Sequence, residues 1–211
     1  MYLSRLELDL TRRSTMIALA APQRFHGAIE NSFDGERQRR LWRLDRLGDK
    51  LFILILSEEK PDLRGMASQF GTENPPETRT YDPLLQRIKE GSRWRFRLRA
   101  NPTKSLKNAD AVSARGRVKA CGVIEEQRQW LLNRAEKHGF LLYENDFDVK
   151  ESCWCRFEKK DKRKVSILSV TYEGVLEVTD AEKFKELLCN GIGRGKAYGM
   201  GIMTVMREGG R

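Results

Sequence analysis

The sequence predicts an α+β fold in which one order of elements, strand–helix–strand–strand–helix–strand, occurs twice. Alternating apolar and polar residues indicate strands in both halves of the 211-residue chain, and segments with helical periodicity separate them. A proline-rich polar stretch, TENPPETRTYDP, lies between the two patterns and has the composition of a linker. The chain is long enough for two small domains. We therefore predict two tandem ferredoxin-like (RRM-like) βαββαβ units, over residues 1–84 and 85–211.

The first half contains one copy of this order. Its opening segment, YLSRLELDL, alternates and predicts a half-buried strand, and Pro22 suits the first turn of the helix that follows. The apolar face of that helix comprises Phe25, Ala28, Ile29 and Phe33. Two further segments, RLWRLDRL and KLFILILS, flank a Gly-Asp pair and predict a hairpin. A short helix, PDLRGMASQF, and an edge strand within the proline-rich stretch complete the unit.

The second half repeats the order. The segment SRWRFRLRA predicts a strand, and EEQRQWLLNRAEKHGF predicts a helix that ends at Gly139. The segment KVSILSVTYEGVLEV predicts a long strand, with a bulge or bend expected at Gly174. Asp180 is placed to cap a second helix, AEKFKELLCN, and MGIMTVM predicts the last strand.

The composition indicates a polyanionic partner. The chain has 40 Lys and Arg against 30 Asp and Glu, and a charge that served only solubility would not explain why the cations cluster. No apolar run approaches the ~20 residues of a membrane span, and the N-terminus lacks the pattern of a signal peptide. The four cysteines form no C-x-x-C pair. We therefore expect free thiols, a cytoplasmic protein without a membrane partner, and no metal or cofactor.

The first predicted strand of the second half carries a row of arginines. Strand alternation places four of them on one face, about 7 Å apart, and apolar residues on the other. These arginines are Arg93, Arg95, Arg97 and Arg99. Forked guanidinium donors at this spacing suit a row of phosphates or the lining of a cleft. The alternative is a solvated face whose arginines pair with carboxylates.

Two loops add further cations. The segment CRFEKKDKRKV lies between two predicted strands, so we expect a basic hairpin tip that grips nucleic acid, the alternative being a merely solvated loop. The segment GIGRGKAYGMGIM joins the last helix to the last strand. Its glycines would let backbone N–H groups approach phosphates closely, although such a turn can also be purely structural.

Four segments, in this order, resemble the CasE-type CRISPR RNA endoribonucleases of type I-E systems, which belong to a wider class of repeat-associated proteins with glycine-rich loops. They are MYLSRLEL, RFRLRANPTK, TYEGVLEVTD and GIGRGKAYGMGIM, and the resemblance runs from Met1 to about Val205. It implies two tandem ferredoxin-like domains. It also implies that the protein cuts the stem-loop repeats of a CRISPR transcript into guide RNAs and stays on the product. The implied partners are the CRISPR repeat RNA hairpin and the other type I-E Cascade subunits.

The resemblance assigns catalysis to a histidine on the first helix, which is His26 by position and context. Several members have a tyrosine three residues earlier, where this chain has Gln23, and Lys164 is a candidate for the cation that this helix does not supply. An imidazole can transfer protons near neutral pH, and RNA supplies its own nucleophile, the 2′-hydroxyl. The implied cleavage is metal-independent and leaves a 2′,3′-cyclic phosphate and a 5′-hydroxyl.

We expect RNA contacts from the arginine row, the hairpin and the glycine-rich segment. Besides the four arginines of the row, the predicted residues are Arg24, Lys104, Arg115, Arg117, Arg156, Lys159, Lys160, Lys162, Arg163, Gly193, Arg194 and Lys196.

Two alternatives stay open on the residues alone. His26 could be structural, because most histidines do no chemistry. The protein would then be a non-catalytic RNA-hairpin-binding subunit of a ribonucleoprotein complex, since ferredoxin-like sheets bind RNA in many proteins without catalysis.

We expect the second histidine, His138, to be structural, at a helix end where a cation suits the dipole. We expect Asp146 and Asp148 to be solvated turn residues rather than metal ligands.

Overall fold

The first half of the chain forms a four-stranded antiparallel sheet with helices packed on one face, in a computed structural model that describes residues 1–35, 38–106, 117–158 and 162–208. Its elements are β1 (Tyr2–Leu8), α1 (Arg13–Ala20), α2 (Gln23–Glu30), β2 (Leu41–Leu47), β3 (Lys50–Ser57), α3 (Arg64–Phe70), β4 (Glu77–Thr80) and α4 (Asp82–Leu85). The strand order β2-β3-β1-β4 is that of the split βαβ unit, so the predicted fold of this half is confirmed.

Two helices, rather than one, connect β1 to β2. The sequence predicted only α2, because the buried residues of α1 are the small Thr15 and Ala18, which form no strong apolar stripe. In α2, by contrast, the fully buried Phe25 ring lies 5.2 Å from the ring of Phe70 and 5.9 Å from that of Trp42. These aromatic contacts hold α2 against the sheet by one face.

The second half repeats the order around a second sheet. Its elements are β5 (Arg93–Ala100), β6 (Thr103–Leu106), β7 (Arg117–Ala120), α5 (Ile124–Ala135), β8 (Phe140–Leu141), β9 (Phe147–Glu158), β10 (Lys164–Val178), α6 (Ala181–Asn190) and β11 (Met203–Arg207). The order β11-β5-β10, with β9 paired to β10, confirms the second split βαβ unit. The short β8 and the hairpin of β6 and β7 were not predicted.

The long hairpin of β9 and β10 differs in one detail from the expectation. Its register shifts between Thr171 and Tyr172, not at Gly174, so the bulge predicted at Gly174 was misplaced. Gly174 has a different role, because a Cβ there would lie 2.2 Å from the carbonyl oxygen of Asp146. Glycine therefore allows the close approach of the chain that leads into β9.

The helix ends in the second half follow the sequence signals. After α5, a short 3-10 turn stops at Gly139, which has a φ of 74°. The Asp180 carboxylate accepts a hydrogen bond of 3.1 Å from the backbone N–H of Lys183 and so caps α6. Among the described residues, no helix is both long and apolar enough to cross a membrane.

The two halves share an apolar interface. Leu41 of β2 and Leu56 of β3 belong to the same buried hydrophobic cluster as the core residues of the second half. The boundary between residues 84 and 85 falls within the last turn of α4 and remains a prediction.

The guanidinium of Arg43 lies at the centre of this interface and is fully buried. Its Nε and Nη2 atoms donate to the Asp45 carboxylate at 2.7 and 2.6 Å. Nη1 donates to the carbonyl oxygens of Arg97 and Ile202, at 2.8 and 3.1 Å, and Nη2 also donates to the hydroxyl of Thr204 at 2.8 Å. All the N–H groups of this side chain therefore have acceptors, and three of those acceptors belong to the second half.

Candidate functional site

His26 lies on α2 at the boundary between core and surface. Its neighbours Phe25 and Ile29 are fully buried, whereas the His26 side chain is 23% exposed. The Nδ1 atom lies 4.0 Å from a carboxylate oxygen of Glu30, one helical turn away, and Glu30 also pairs with Arg40 at 2.9 Å. The ring therefore lies between the buried core residues of α2 and the carboxylate of Glu30. On a helical wheel His26 is about 100° from Phe25, so the spacing of the apolar residues predicts this position beside the apolar stripe.

The other predicted catalytic residues lie around the same corner of the molecule. The side-chain amide of Gln23 donates a hydrogen bond of 3.0 Å to the carbonyl oxygen of Glu158, the last residue of β9. Lys164, the first residue of β10, is the strand partner of Glu158. Since Gln23 and His26 are three residues apart on α2, they share one face of the helix. The structure thus brings α2 next to the end of the β9–β10 hairpin, where Glu158 and Lys164 flank the turn.

The tip of this hairpin is only partly described. Lys162, Arg163 and Lys164 are exposed, and Arg156 is exposed on β9. Lys159 and Lys160 lie outside the described residues. The hairpin predicted between the two strands is confirmed, since β9 ends at Glu158 and β10 begins six residues later.

The glycine-rich segment, residues 191–202, runs between the two halves. Its five glycines with positive φ include Gly199, where a Cβ would lie 2.8 Å from the Trp42 ring of the first half. A Cβ at Gly193 would lie 3.0 Å from the Trp130 ring of the second half. Packing against protein therefore accounts for these glycines, as the structural alternative proposed. The segment also carries two cations, Arg194 and Lys196. Arg194 is exposed, whereas burial lowers the pKa of Lys196 and the nearby charge of Arg39 lowers it further.

A small cavity separates α1 and α2 from the second sheet. Its volume is about 190 Å³, and its walls include Pro22, Arg99, Phe157 and Tyr198. The rings of Phe157 and Tyr198 are 5.0 Å apart, and the 3-10 turn that carries Tyr198 lies against α2. The Arg99 guanidinium is held by a hydrogen bond of 2.7 Å from Nε to the hydroxyl of Ser169. Arg99 therefore lines a cleft, which is one of the two functional roles predicted for the row.

Two other arginines of the row, Arg93 and Arg97, have acidic neighbours. The alternation is as predicted, with Trp94, Phe96 and Leu98 buried on the opposite face. Arg93 pairs with Glu208 at 3.3 Å, and Arg97 pairs with Glu173 at 3.2 Å. Arg97 also lies 3.8 Å from Asp45. These two arginines thus have the carboxylate partners of the alternative interpretation.

Other predicted RNA-binding residues are more scattered. Arg24 is exposed on α2, beside His26 in sequence. Lys104 of β6 forms an ion pair of 2.6 Å with Glu126. Arg117 begins β7, and Arg115 lies outside the described residues. The structure therefore places Arg24 near the candidate site and leaves Lys104 on the β6–β7 hairpin.

The remaining polar candidates have structural surroundings. His138 is half-buried, and burial lowers its pKa, with smaller effects from Lys137 and Arg134. Its structural role at the helix end stays a prediction. Asp148 is exposed and pairs with Lys150 at 2.8 Å, but it lies in β9 rather than in a turn, whereas Asp146 ends a short 3-10 turn. Within the described ranges, no three His, Cys, Asp or Glu side chains are grouped as in a metal site.

Two aromatic residues at the site were missed. Tyr198 lies within the segment that was interpreted for its glycines and cations, and Trp154 lies within CWC, which was considered only for its cysteines. The four cysteines are free, as expected. Strand alternation along β9 would have shown that Trp154 breaks an otherwise polar run.

Two ferredoxin-like units with a basic hairpin and a cation-bearing loop beside one helix agree with the architecture that the resemblance implied. The family described as "CRISPR associated protein" matches residues 1–207, and the chain belongs to this family.

Similar proteins cover between half and nearly all of the chain. The CRISPR-associated endoribonuclease Cse3 of Thermus thermophilus is 30% identical over 97% of this chain and 99% of its own length. The Escherichia coli protein named CRISPR system Cascade subunit CasE is 32% identical over 52% of this chain and 56% of its own. A structure of Cse3 bound to a 19-nucleotide RNA has a TM-score of 0.81, with 29% identity, and covers 98% of this chain and all of that one.

Proposed function

We propose that this protein is an endoribonuclease that cleaves the stem-loop repeats of CRISPR precursor transcripts in the cytoplasm and stays bound to the product as a Cascade subunit. The observation that carries the proposal is the position of His26. Its side chain is partly exposed on α2, at the corner where Gln23 joins that helix to the end of the basic hairpin. A proton-transferring group thus lies beside the surface that would hold the RNA.

The reaction that fits these groups needs only proton transfer, alignment and charge stabilisation. The 2′-hydroxyl of the nucleotide before the scissile phosphate attacks the phosphorus, and the bond to the 5′ oxygen breaks. The 2′-hydroxyl loses its proton and the leaving 5′ oxygen gains one, and His26 acts in one of these transfers. Lys164 and Lys196, the latter in the 3-10 turn that lies against α2, would stabilise the extra negative charge on the phosphate. The products are a 2′,3′-cyclic phosphate and a 5′-hydroxyl.

His26→Ala should nearly abolish cutting while leaving affinity for the hairpin within a few-fold of the parent. One imidazole contributes little to a binding surface made of many cations, whereas general acid–base catalysis changes the rate by about 100- to 10,000-fold. The measurement is single-turnover cleavage of a labelled repeat hairpin, with a binding titration of the same RNA. Cutting by the parent should persist in EDTA, and a 2′-deoxy nucleotide before the scissile phosphate should block cutting but not binding.

The chain offers a matched control in its only other histidine. His138→Ala removes an imidazole from the end of α5 and should leave the cleavage rate near that of the parent. Parental cutting by His26→Ala would refute the catalytic assignment. A parent protein that binds the hairpin without cutting it would instead favour the non-catalytic RNA-binding subunit.

A further inference from the structure

Trp154 differs from the other tryptophans of the chain. Trp42, Trp94 and Trp130 are at most 4% exposed, whereas Trp154 is 50% exposed. Aromatic rings stabilise a fold mainly by burying their large surface, so a ring left half in water contributes less than its size allows. Such a ring is instead available to a partner.

The backbone fixes where this ring lies. Trp154 is on β9 opposite Leu168 of β10, and Ser152, two residues earlier on the same face, accepts a hydrogen bond of 3.0 Å from Gln127 of α5. The Trp154 side chain therefore stands on the face of the sheet that α5 covers, beyond the part that the helix reaches. Arg156, two residues later, shares this face.

The ring forms one wall of a groove of about 630 Å³, a volume typical of small-ligand sites. The buried Leu168 forms an apolar surface beside the indole. Lys119 of β7 and Arg194 of the glycine-rich segment also line the groove, together with polar side chains that include Asn101 and Ser166. None of the described lining residues carries a carboxylate, so the groove complements an anion with a flat, apolar part.

The groove is connected to the candidate catalytic corner through one short segment. Arg194 pairs with Asn101 through a backbone bridge, which holds the segment against the end of β5. Four residues later, Tyr198 lines the cavity beside α2. An RNA strand that leaves the corner along this segment would therefore reach the groove within a few nucleotides.

We propose that this groove binds an unpaired nucleotide that flanks the RNA stem, with its base stacked on Trp154 and its phosphate contacted by Arg194 and Lys119. Stacking of a base on an aromatic ring tolerates any base, so the groove would recognise a single strand rather than a sequence. This inference rests on the proposed function, because it requires an RNA hairpin bound at α2.

The experiment measures affinity for uncut RNA. Three repeat hairpins carry a 2′-deoxy nucleotide before the scissile phosphate: one has no unpaired extension, one has an extension on the 5′ side, and one has an extension on the 3′ side. One extension should tighten binding to the parent protein. Trp154→Leu should weaken binding of that RNA by about 5- to 150-fold, as expected for the loss of one stacked base, and leave the bare hairpin within two-fold. Trp154→Phe, which keeps a ring, should retain most of the affinity.

Two controls make the result specific. Tyr143, which is 57% exposed in the same half but does not line the groove, provides the variant Tyr143→Leu, which should bind all three RNAs as the parent does. Since the other three tryptophans are buried, the extended RNA should quench the fluorescence of the parent, and Trp154→Phe should lose this quenching.

Several outcomes would overturn the proposal. One is that neither extension adds affinity to the parent. Another is that Trp154→Leu weakens the bare and extended hairpins equally. A third is that Trp154→Leu leaves RNA affinity unchanged and instead loses association with other Cascade subunits, which would make the groove a protein-docking surface. Because the RNA is not cut in these titrations, the result can be read even if the protein proves non-catalytic.

Discussion

Gln23 shows how one side chain can connect a helix to a hairpin. Its Nε2 atom donates a hydrogen bond to the carbonyl oxygen of Glu158, the last residue of β9. This bond holds the end of β9 beside α2. The resemblance implied a tyrosine at this position, where this chain has Gln23. We propose that Gln23 is a positioning residue, which keeps the end of β9 next to α2.

Gln23→Ala should slow single-turnover cleavage by less than His26→Ala does. A neutral hydrogen bond contributes about 0.5–1.5 kcal/mol, or roughly 2- to 12-fold, and its loss would loosen the hairpin without removing a proton-transferring group. Gln129→Ala is a matched control, because that amide donates to Asn133 on the same helix and joins no second element through this bond. A larger loss at Gln23 than at His26 would show that the principal role had been given to the wrong residue.

Some features of the site depend on the neighbouring sequence, and others depend on residues far away in the chain. The boundary position of His26 follows from the spacing of apolar residues on its own helix, so the sequence could predict it. The acidic partners of Arg97 could not be predicted, because Asp45 and Glu173 come from strands far away in the chain. Trp154 was missed because its environment depends on the unpredicted hairpin of β6 and β7, which supplies one side of the groove.

At the scale of elements, the hairpin of β9 and β10 is the main candidate for gripping RNA. It extends from the second sheet, and Lys162, Arg163 and Lys164 are exposed at its tip. Lysine and arginine neutralise phosphates and release counterions, so their contribution to binding depends on salt.

Reversal of the five cations at this tip to Glu should weaken hairpin binding and reduce its salt dependence. These residues are Lys159, Lys160, Lys162, Arg163 and Lys164. Each lost phosphate contact should lower the slope of log K against log salt by about 0.7–0.9, measured by titration at several salt concentrations. A smaller set, Lys162→Glu with Arg163→Glu, confines the test to described residues.

The control is a pair of exposed cations elsewhere. Arg79 lies on β4, at the opposite edge of the first sheet from β2, and Lys60 lies beyond the end of β3. Reversal of this pair changes the net charge equally but should change the slope much less. Equal slopes for the two pairs would exclude a specific role for the hairpin in RNA binding.

Elements with strong local patterns were predicted, and those without them were not. The strands β1, β2, β3, β5 and β10 alternate or are continuously apolar, and the structure contains each of them. α1 and the β6–β7 hairpin were missed, because the first buries small residues and the second is short and largely polar. The glycine-rich segment was placed correctly, but its glycines face Trp42 and Trp130, contacts that only the folded chain reveals.

For the whole molecule, the decisive contact is the buried Arg43 fork between the halves. A buried ion pair contributes to stability only when its remaining hydrogen-bonding groups are satisfied, and all the donors of Arg43 have acceptors. The halves should therefore unfold as one cooperative unit rather than separately.

Arg43→Met should destabilise the protein by about 3–5 kcal/mol, because it leaves the buried Asp45 carboxylate without its main partner. For a chain of this size the melting temperature should fall by roughly 6–20 °C, measured by circular dichroism. Arg46→Met, on the exposed part of the same strand, is the control and should change stability by less than about 0.5 kcal/mol.

A double variant tests whether the lost stability comes from the unpaired charge of Asp45. Arg43→Met with Asp45→Leu removes both buried charges, so it should recover much of the lost stability. If the double variant were less stable than Arg43→Met by a further ~3 kcal/mol or more, Asp45 would have a role independent of Arg43. Two separate melting transitions in the parent would contradict the single cooperative unit.

The Arg43 contacts also set an order of events during synthesis. Ile202 and Thr204, which supply a carbonyl and a hydroxyl acceptor, are synthesised 159 and 161 residues after Arg43. Until the ribosome has produced them, the nascent first half has Asp45 for its guanidinium but lacks the acceptors of Ile202 and Thr204. Leu41 and Leu56 are likewise only partly covered during that interval, since most residues of their hydrophobic cluster belong to the later half. The growing chain therefore presents its future interface to the translation machinery and chaperones until β11 has been made.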